Sequence, residues 1–530
     1  MSRSYYNRTM EMKHLPLGIQ TFSKIIEENY LYVDKTKEIF TLLSSGGQYY
    51  FLSRPRRFGK SLLVSTLKEI FSGNRELFNG LWIYDKIEWE TYPVIHIDFS
   101  KIRYKTPEIL EKSLEKTIKK IAKSCNIRLD ADSNYKDGFA ELIEELSAKN
   151  RVVILIDEYD KPIIDNIDNR EIAMGNRGVL KEFYGVIKAS DEFNRFAFIT
   201  GVSKFSKVSV FSDLNNLDDI TLDKKYTTML GYTHEELSHY FDNRLEKLEI
   251  EFKKEKQHIL KEIKLWYNGY SWDGENFVYN PHSVLNLFKK ERFDNYWFAS
   301  ATPTFLIKQI QTYHTPVEKL ENYESDGSIF ESYDVDRMNV ISLLFQTGYL
   351  TIKKVEEISL TRRMYYFSYP NMEVKESFLK HLFSEFSRTV TDQVGGFVLR
   401  LSNKLDSDDL EEFFNILESL FASIPYDIFV KEREGYYNTI IYLLLTLIGI
   451  NIKSEVHTNR GRIDAVIETE NNIYIMEYKL GTAEQALAQI KEMKYYEKFL
   501  ISDKNIKLIG IGFDVEQKNI GDYKIEALQR

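Results

Sequence analysis

The chain has 530 residues, 43% of them hydrophobic and 14% aromatic, with 35 Tyr and 34 Phe. That length predicts three or four domain-sized units with packed cores. The formal charge of −9 argues against a surface coated in positive charge, though not against a local basic groove, and the single cysteine, Cys125, excludes a disulfide framework or a cysteine zinc site.

Residues 1–13 are polar and lack the apolar stretch of a secretory signal. The longest strongly apolar run, Ile440 to Ile450, is too short to span a bilayer. A soluble, cytoplasmic protein with no membrane association is therefore expected. Tyr30 to Thr36 leads through a short helical pattern, Lys37 to Leu43, into the apolar run Tyr49 to Leu52, which predicts a buried strand. Arg54, Pro55, Arg56, Arg57, Phe58, Gly59, Lys60 and Ser61 follow, and Leu62 to Phe71 has apolar residues at helical spacing. Strand, loop, Gly-Lys-Ser and helix is the order of a phosphate-binding loop. In that reading residues Arg54 to Leu62 receive a nucleotide such as ATP, Lys60 reaches its outer phosphates, and Ser61 holds a magnesium ion. Arg54 stands where the G-x-x-x-x-G-K-[ST] pattern has its first glycine, and the plain alternative is a basic surface turn.

Val94 to Phe99 predicts a second strand, and helices follow over Pro107 to Ser124 and Asp137 to Lys149. Arg151 to Ile156 is apolar enough to be buried on both faces, as parallel strands are, and it ends in Asp157 and Glu158. Beside a phosphate-binding loop, Asp157 would bind the magnesium ion, directly or through water, and Glu158 would polarise the attacking water. The alternative is a strand that ends in a solvated acidic turn. The separation from Lys60 suits a P-loop ATPase with an additional strand. A helix over Val179 to Ser190 precedes another buried strand, Arg195 to Ser203, where Thr200 or Ser203 could sense the terminal phosphate.

From about Leu230 the alternation of strands and helices stops. Thr233 and Glu236 have the spacing of a capping box, and helical patterns continue to Tyr267, which predicts a helical lid. Trp266 to Trp272 and Val278 to Ser283 are aromatic and turn-rich; such residues can stack on bases, but more often they pack. Lys308 to Asp336 reads as an irregular linker, and Val340 to Ile352 opens a small unit ending near Phe386. The last fifth predicts a helix over Asp406 to Ala422, another running from Lys431 through Leu447, then strands over Ile452 to His457, Ile463 to Glu468 and Ile473 to Lys479. A helix over Ala483 to Phe499 and a strand over Ile506 to Phe513 complete it. Asp464 starts the second of these strands, and Glu477 and Lys479 share one face of the third. Two carboxylates so placed can hold a divalent ion beside an ammonium that stabilises a phosphoryl transition state. The plain alternative is a charge pair on a solvated strand edge.

With Tyr32 to Thr36, Arg54 to Ser61, Ile199 to Phe205, Phe211 to Leu217, Trp266 to Tyr270, Tyr279 to Pro281, Gly461 to Asp464 and Ile475 to Lys479 on the page, the chain resembles a bacterial family. Its members join an AAA-ATPase-like P-loop domain to a C-terminal PD-(D/E)XK nuclease-superfamily domain. The resemblance covers nearly the whole chain, and that family also lacks the first P-loop glycine. It implies an α/β fold: a P-loop core of parallel sheet and flanking helices with a helical lid, and a C-terminal restriction-endonuclease-like domain. It further implies Asp464 and Glu477 as metal ligands, Lys479 as catalytic lysine, Glu434 (or Glu432) as accessory acid, and Gln489 as a polar residue assisting the metal site or the DNA contact. The expected cofactors are ATP and Mg²⁺ or Mn²⁺, and the expected partner is nucleic acid, DNA rather than RNA, reached over Lys453, Arg460, Arg462, Lys491 and Lys494. A homo-oligomer and a protein partner stay open. The expected boundaries are an ATPase-like domain over 1–229, a lid over 230–307, a linker and connecting unit over 308–400, and a nuclease-like domain over 401–530.

Overall fold

The computed structural model describes residues 12–203, 210–211, 214–298, 304–313, 315, 317–330, 333–334, 337–424, 434–452, 465–514, 516–517 and 519–528. The chain divides into two compact units, Met1–Leu306 with Leu320–Val374, and Ile307–Lys319 with Lys375–Arg530.

The first unit begins with α1 (Thr36–Ser44), β1 (Tyr49–Ser53), α2 (Lys60–Phe71), β2 (Val94–Asp98), α3 (Pro107–Ser124), α4 (Tyr135–Ser147), β3 (Val152–Asp157), α5 (Arg170–Ala189), β4 (Asn194–Gly201) and β5 (Asp218–Asp219). Parallel neighbours need crossover connections, so helices cover both faces of such a sheet and its strands read as unbroken apolar runs. That is why β1 and β3 are buried at every position. The sheet is parallel with order β2-β3-β4-β1-β5. β4 therefore lies between β1 and β3, the additional strand that the spacing of Lys60 and Asp157 predicted.

α6 (His234–Tyr240), α7 (Asp242–Phe252), α8 (Lys256–Tyr267) and α9 (Pro281–Lys290) form the helical part that follows. The capping box forms: Glu236 N–H donates to Thr233 Oγ1 at 3.2 Å and Thr233 N–H to Glu236 Oε2 at 2.8 Å. Leu237, Phe241, Leu245, Ile263, Tyr267 and Phe288 share one apolar core among these helices. Beyond them the linker expectation needs correction. A helix, Thr304–Thr312, runs into it and β6 (Tyr323–Asp326) lies inside it, and after α10 (Val340–Thr347) come β7 (Thr351–Ser359) and β8 (Arg362–Ser368). The antiparallel order is β6-β8-β7. This small sheet is largely solvated, so its strands carry charge where a buried strand carries Val or Ile.

α11 (Met372–Ser387) leads into the second unit, which holds α12 (Thr391–Asp406), α13 (Leu410–Ser423), α14 (Glu434–Ile452), β9 (Ala465–Glu468), β10 (Asn472–Leu480), α15 (Ala483–Glu492), β11 (Asn505–Asp514) and β12 (Asn519–Ala527). The mixed sheet runs β9-β10-β11-β12, with β10 and β11 parallel and the other pairs antiparallel. α14 continues through Ile452, so the strand expected from that residue does not begin there; the rest of that expected strand lies outside the described residues. α15 stops at Glu492 rather than Phe499, because Lys494 takes a left-handed backbone (φ 54°) and a 3₁₀ turn follows over Glu497–Phe499. Among the described residues no helix is long and apolar enough to cross a membrane.

Candidate functional sites

β1 delivers the chain to the loop at Ser53, and α2 starts at Lys60. Gly59 caps that helix with φ 94°, and Arg57 has φ 70°. The left-handed turn costs glycine nothing but strains arginine, a local cost of the kind found at ligand sites. Lys60 is 6% exposed, and its Nζ donates to the carbonyls of Arg54 at 2.9 Å and Pro55 at 3.0 Å. Burial pushes its pKa down, against the pull of Asp157, Glu158 and Asp160. At the end of β3, burial pushes the Asp157 carboxyl up to about 6, opposed by a hydrogen bond with the Ser61 side chain and by the charge of Lys60. Glu158 follows with φ 52°. Its N–H donates to Asp157 Oδ1 at 2.9 Å, and its carboxylate lies 3.9 Å from Lys161.

Arg54 lends its main chain to the loop and turns its side chain inward. It is fully buried; Nη1 donates to the carbonyls of Ser53 (2.8 Å) and Thr221 (3.0 Å), and Nη2 to that of Tyr226 (3.1 Å). The guanidinium lies 3.8 Å over the Trp272 ring, and burial lowers its pKa to about 9 despite Asp219 and Asp273. Phe58 is buried edge-on against Tyr270 and Trp272. Arg56 and Arg57 are exposed, with Arg56 Nη2 3.9 Å from Asp165. Thr200 is buried and donates to the Leu52 carbonyl at 2.7 Å. The Ser203 hydroxyl donates to Asp160 Oδ2 at 2.7 Å. Both hydroxyls weighed as phosphate sensors donate to acceptors within the fold. Beside Gly59 and Leu62 opens a mostly apolar cleft, lined among others by Val33, Ile39, Phe58, Met229 and Tyr232.

In the second unit Glu477 lies on β10 and is 2% exposed. Gln489 on α15 donates from Nε2 to Glu477 Oε1 at 2.5 Å, and Lys479 Nζ is 3.8 Å from the same oxygen. Two glycines make this meeting sterically possible. Glu477 pairs with Gly510 and Lys479 with Gly512 on β11. A Cβ at Gly510 would fall 2.2 Å from the Ala483 carbonyl oxygen, and one at Gly512 2.6 Å from the Ala483 nitrogen. Bare backbone there lets α15 sit directly on the strands and bring Gln489 over Glu477. Asp464 and Glu432 lie outside the described residues, as does the side chain of Glu434, which starts α14. Ala465, the residue after Asp464, pairs with Met476 next to Glu477. Of the expected basic path, Lys491 pairs with Glu526 (2.6 Å) and Lys494 with Glu497 (3.4 Å); Lys453, Arg460 and Arg462 lie outside the described residues.

A family model described as a predicted AAA-ATPase matches residues 16–211, and one for the PD-(D/E)XK nuclease superfamily matches residues 432–523. A protein of Azotobacter chroococcum mcd 1, described as "Uncharacterized protein in vnfD 5'region", is 38% identical over 533 residues, covering 98% of this chain and 100% of that protein. The chain belongs to this family of AAA-ATPase-like, PD-(D/E)XK proteins. Its two kinds of domain generally use a nucleotide and a divalent metal, and a nuclease-superfamily domain suggests nucleic-acid binding.

The residues of this AAA-ATPase-like, PD-(D/E)XK chain fit those groups. A buried carboxylate bonded to a hydroxyl, as Asp157 is to Ser61, is an oxygen donor set suited to Mg²⁺, and the carboxylate of Glu477 is another. Among the described residues no three His, Cys, Asp or Glu side chains gather as a complete metal site. Sequence reasoning missed Asp160, which is fully buried and takes hydrogen bonds from the N–H groups of Val202 (3.0 Å) and Ser203 (2.6 Å), fixing the end of β4 beside β3. It also missed Trp297 and Glu373. The only signal for them was the density of aromatic residues after Trp266.

Proposed function

We propose that this protein is an ATP-controlled, Mg²⁺- or Mn²⁺-dependent nuclease that acts on DNA in the cytoplasm, with the nucleotide state governing DNA binding or phosphodiester cleavage. What supports the reading is the convergence of Lys60, Ser61 and Asp157 in one unit and of Glu477, Lys479 and Gln489 in the other. Lys60 would exchange the Arg54 and Pro55 carbonyls for phosphate oxygens, a trade between acceptors that needs no new donor. Ser61 and Asp157 would hold the magnesium ion, which supplies charge neutralisation at the phosphates. Glu158 would orient water for hydrolysis. The apolar cleft beside Gly59 offers room for a purine base. In the nuclease-like domain, Glu477 with Asp464 would hold the divalent ion, with Glu434 as accessory acid. Gln489 would keep the Glu477 carboxylate in one orientation, and the half-exposed Lys479 would stabilise charge developing on the scissile phosphate. We assign 1–229 to the ATPase-like domain, 230–307 to its lid, 308–400 to the connecting region and 401–530 to the nuclease-like domain.

The test is to incubate the full chain with linear and circular DNA and with Mg²⁺ or Mn²⁺, with and without ATP, beside Lys60→Ala and the Asp464→Ala, Glu477→Ala double variant. Cleavage that the double variant loses, and whose ATP dependence Lys60→Ala loses, is the expected result. Equal Mn²⁺ binding by wild type and double variant in calorimetry would overturn the metal site. Retained metal and DNA binding without cleavage would instead identify a non-cleaving, ATP-dependent switch.

A further inference from the structure

The crest of the phosphate-binding loop is gripped from outside the sheet. Trp297 donates its indole N–H to the Arg56 carbonyl at 3.1 Å. Tyr349 packs edge-on to Trp297 at 5.2 Å. Gly348 sits so close to Pro55 that a Cβ there would fall 2.8 Å from the proline Cβ. Trp297 is itself held by a buried carboxylate. Its backbone N–H donates to Glu373 Oε1 at 2.7 Å, and the Ser283 hydroxyl donates to Glu373 Oε2 at 2.7 Å. Glu373 belongs to the first turn of α11 and Ser283 to that of α9, and Glu373 is wholly buried. Both of its oxygens are therefore committed, one to the segment that carries Trp297 and one to the lid.

Resting on the nucleotide-binding reading above, we propose that Glu373 is a positioning residue: through Trp297 it holds the Arg56 carbonyl, and with it the loop, in the form that receives phosphate. The loop lacks the first glycine of its pattern and has strained backbone at Arg57. It leans on outside contacts to stay in one conformation when Lys60 leaves the Arg54 and Pro55 carbonyls. A carbonyl pinned by an indole N–H cannot rotate toward the phosphate and repel it. The groups facing Glu373 are Asp294, Tyr267, Tyr270 and Tyr296, besides its hydrogen-bond donors. Burial pushes the carboxyl up to about 7. A proton on Oε1 removes the acceptor that Trp297 uses, and one on Oε2 leaves Oε1 a neutral, weaker acceptor, so the grip weakens as pH falls through that value.

Two measurements on the full-length protein test this. The first, hydrogen exchange without nucleotide, compares wild type with Trp297→Phe, Glu373→Gln and Glu373→Ala. Trp297→Phe removes the indole N–H with part of the ring but keeps an aromatic side chain and the backbone N–H, so it leaves the Glu373 bonds in place even if Glu373→Ala fails to fold. Peptides over 54–60 should exchange at least severalfold faster in Trp297→Phe, while those over 62–71 stay unchanged. Unchanged protection of 54–60 overturns the proposal. The second is affinity for a fluorescent ATP analogue between pH 6 and 8.5. Loss of the indole–carbonyl hydrogen bond in Trp297→Phe, and of the carboxylate that holds Trp297 in Glu373→Ala, predicts about tenfold weaker binding in each. It also predicts a wild-type affinity that falls more steeply between pH 8.5 and 6.5 than that of Glu373→Gln, in which only the titration of Asp157 near 6 is left. If the loop loosens in Trp297→Phe yet wild type binds no nucleotide, the grip stands and the nucleotide reading falls. If wild type binds and the variants match it in protection and affinity, the grip falls and the nucleotide reading stands.

Discussion

Restoring the missing P-loop glycine should harm this protein. Arg54→Gly empties a fully buried site whose guanidinium bonds the Thr221 and Tyr226 carbonyls and covers Trp272. A cavity of about 100 Å³ costs about 2.4 kcal/mol if the surroundings do not collapse. The stranded carbonyls add about 1 kcal/mol each, the lost stack about 1 kcal/mol, and the freer glycine backbone about 0.5 kcal/mol. Set against this is the relief of a charge that burial already disfavours, as the pKa near 9 shows, on the order of 2–3 kcal/mol. The net is a loss of about 3 kcal/mol, or roughly 4 °C in the melting of a unit of this size. Arg54→Met keeps most of the volume and should lose less than half as much. The assay is thermal melting of the full chain followed by circular dichroism, with and without an ATP analogue. A melt of Arg54→Gly indistinguishable from wild type would refute the reasoning, and tighter nucleotide binding with it would make Arg54 an obstruction rather than a strut.

Other variants separate the roles of neighbouring groups. Glu158→Gln should bind ATP as wild type does but hydrolyse it at least about tenfold more slowly in a phosphate-release assay. Asp157→Asn should lose Mg²⁺-dependent nucleotide binding yet raise stability without nucleotide above pH 6. The native carboxyl holds its proton up to about 6, whereas the unfolded one releases it near 4. Wild-type stability from this group therefore falls as pH rises between those values, and the asparagine escapes that loss; denaturant titrations at pH 4 and 8 measure it. Lys479→Ala should keep Mn²⁺ binding in calorimetry and lose most of the cleavage rate, because its charge acts on the transition state. Gly510→Ala places a methyl against the Ala483 carbonyl and the Leu487 nitrogen. It should cost about 1–3 kcal/mol in a denaturant melt and lose cleavage by lifting Gln489 away from Glu477.

The parallel core was legible because burial on both faces leaves an unmistakable apolar run. Val152 to Ile156 has no competing reading as an amphipathic element, and Asp157 and Glu158 mark where it meets solvent. The solvated sheet β6-β8-β7 was not legible, since Lys353, Lys354, Glu356 and Glu357 on β7 give it the composition of a loop. β12 escaped for the same reason: as an edge strand exposed over most of its length, it has no apolar period to read. Glu477 and Lys479 were legible as sharing a face because a strand spacing of two sets it, whereas Gln489, which the structure places 2.5 Å from Glu477, came only from the family resemblance. Glu373 was not, because its partners Trp297 and Ser283 lie 76 and 90 residues away, and no local pattern encodes a contact of that span.

Thr200 and Arg54 make bonds that a motif reading does not foresee. Both stand at positions where the pattern of a P-loop protein meets the phosphate, and the side chain of each bonds a backbone carbonyl. The cause is the same in each case: a polar side chain at a strand end is satisfied by the nearest backbone carbonyl when the sheet buries it, at Leu52 for Thr200 and at Thr221 and Tyr226 for Arg54. Those bonds tie β1 to β4 on one side and to the segment after β5 on the other, so the strand that carries the loop is fixed laterally while the loop keeps its own donors. Side-chain donors at the loop besides its backbone N–H groups are Lys60, Ser61 and the exposed Arg56 and Arg57, and Lys60 Nζ is held by the Arg54 and Pro55 carbonyls. The side chain that stands in place of the pattern's glycine thus holds the scaffold, and on the proposed reading the anion is left to the main chain, Lys60 and the side chains that still face out of the loop.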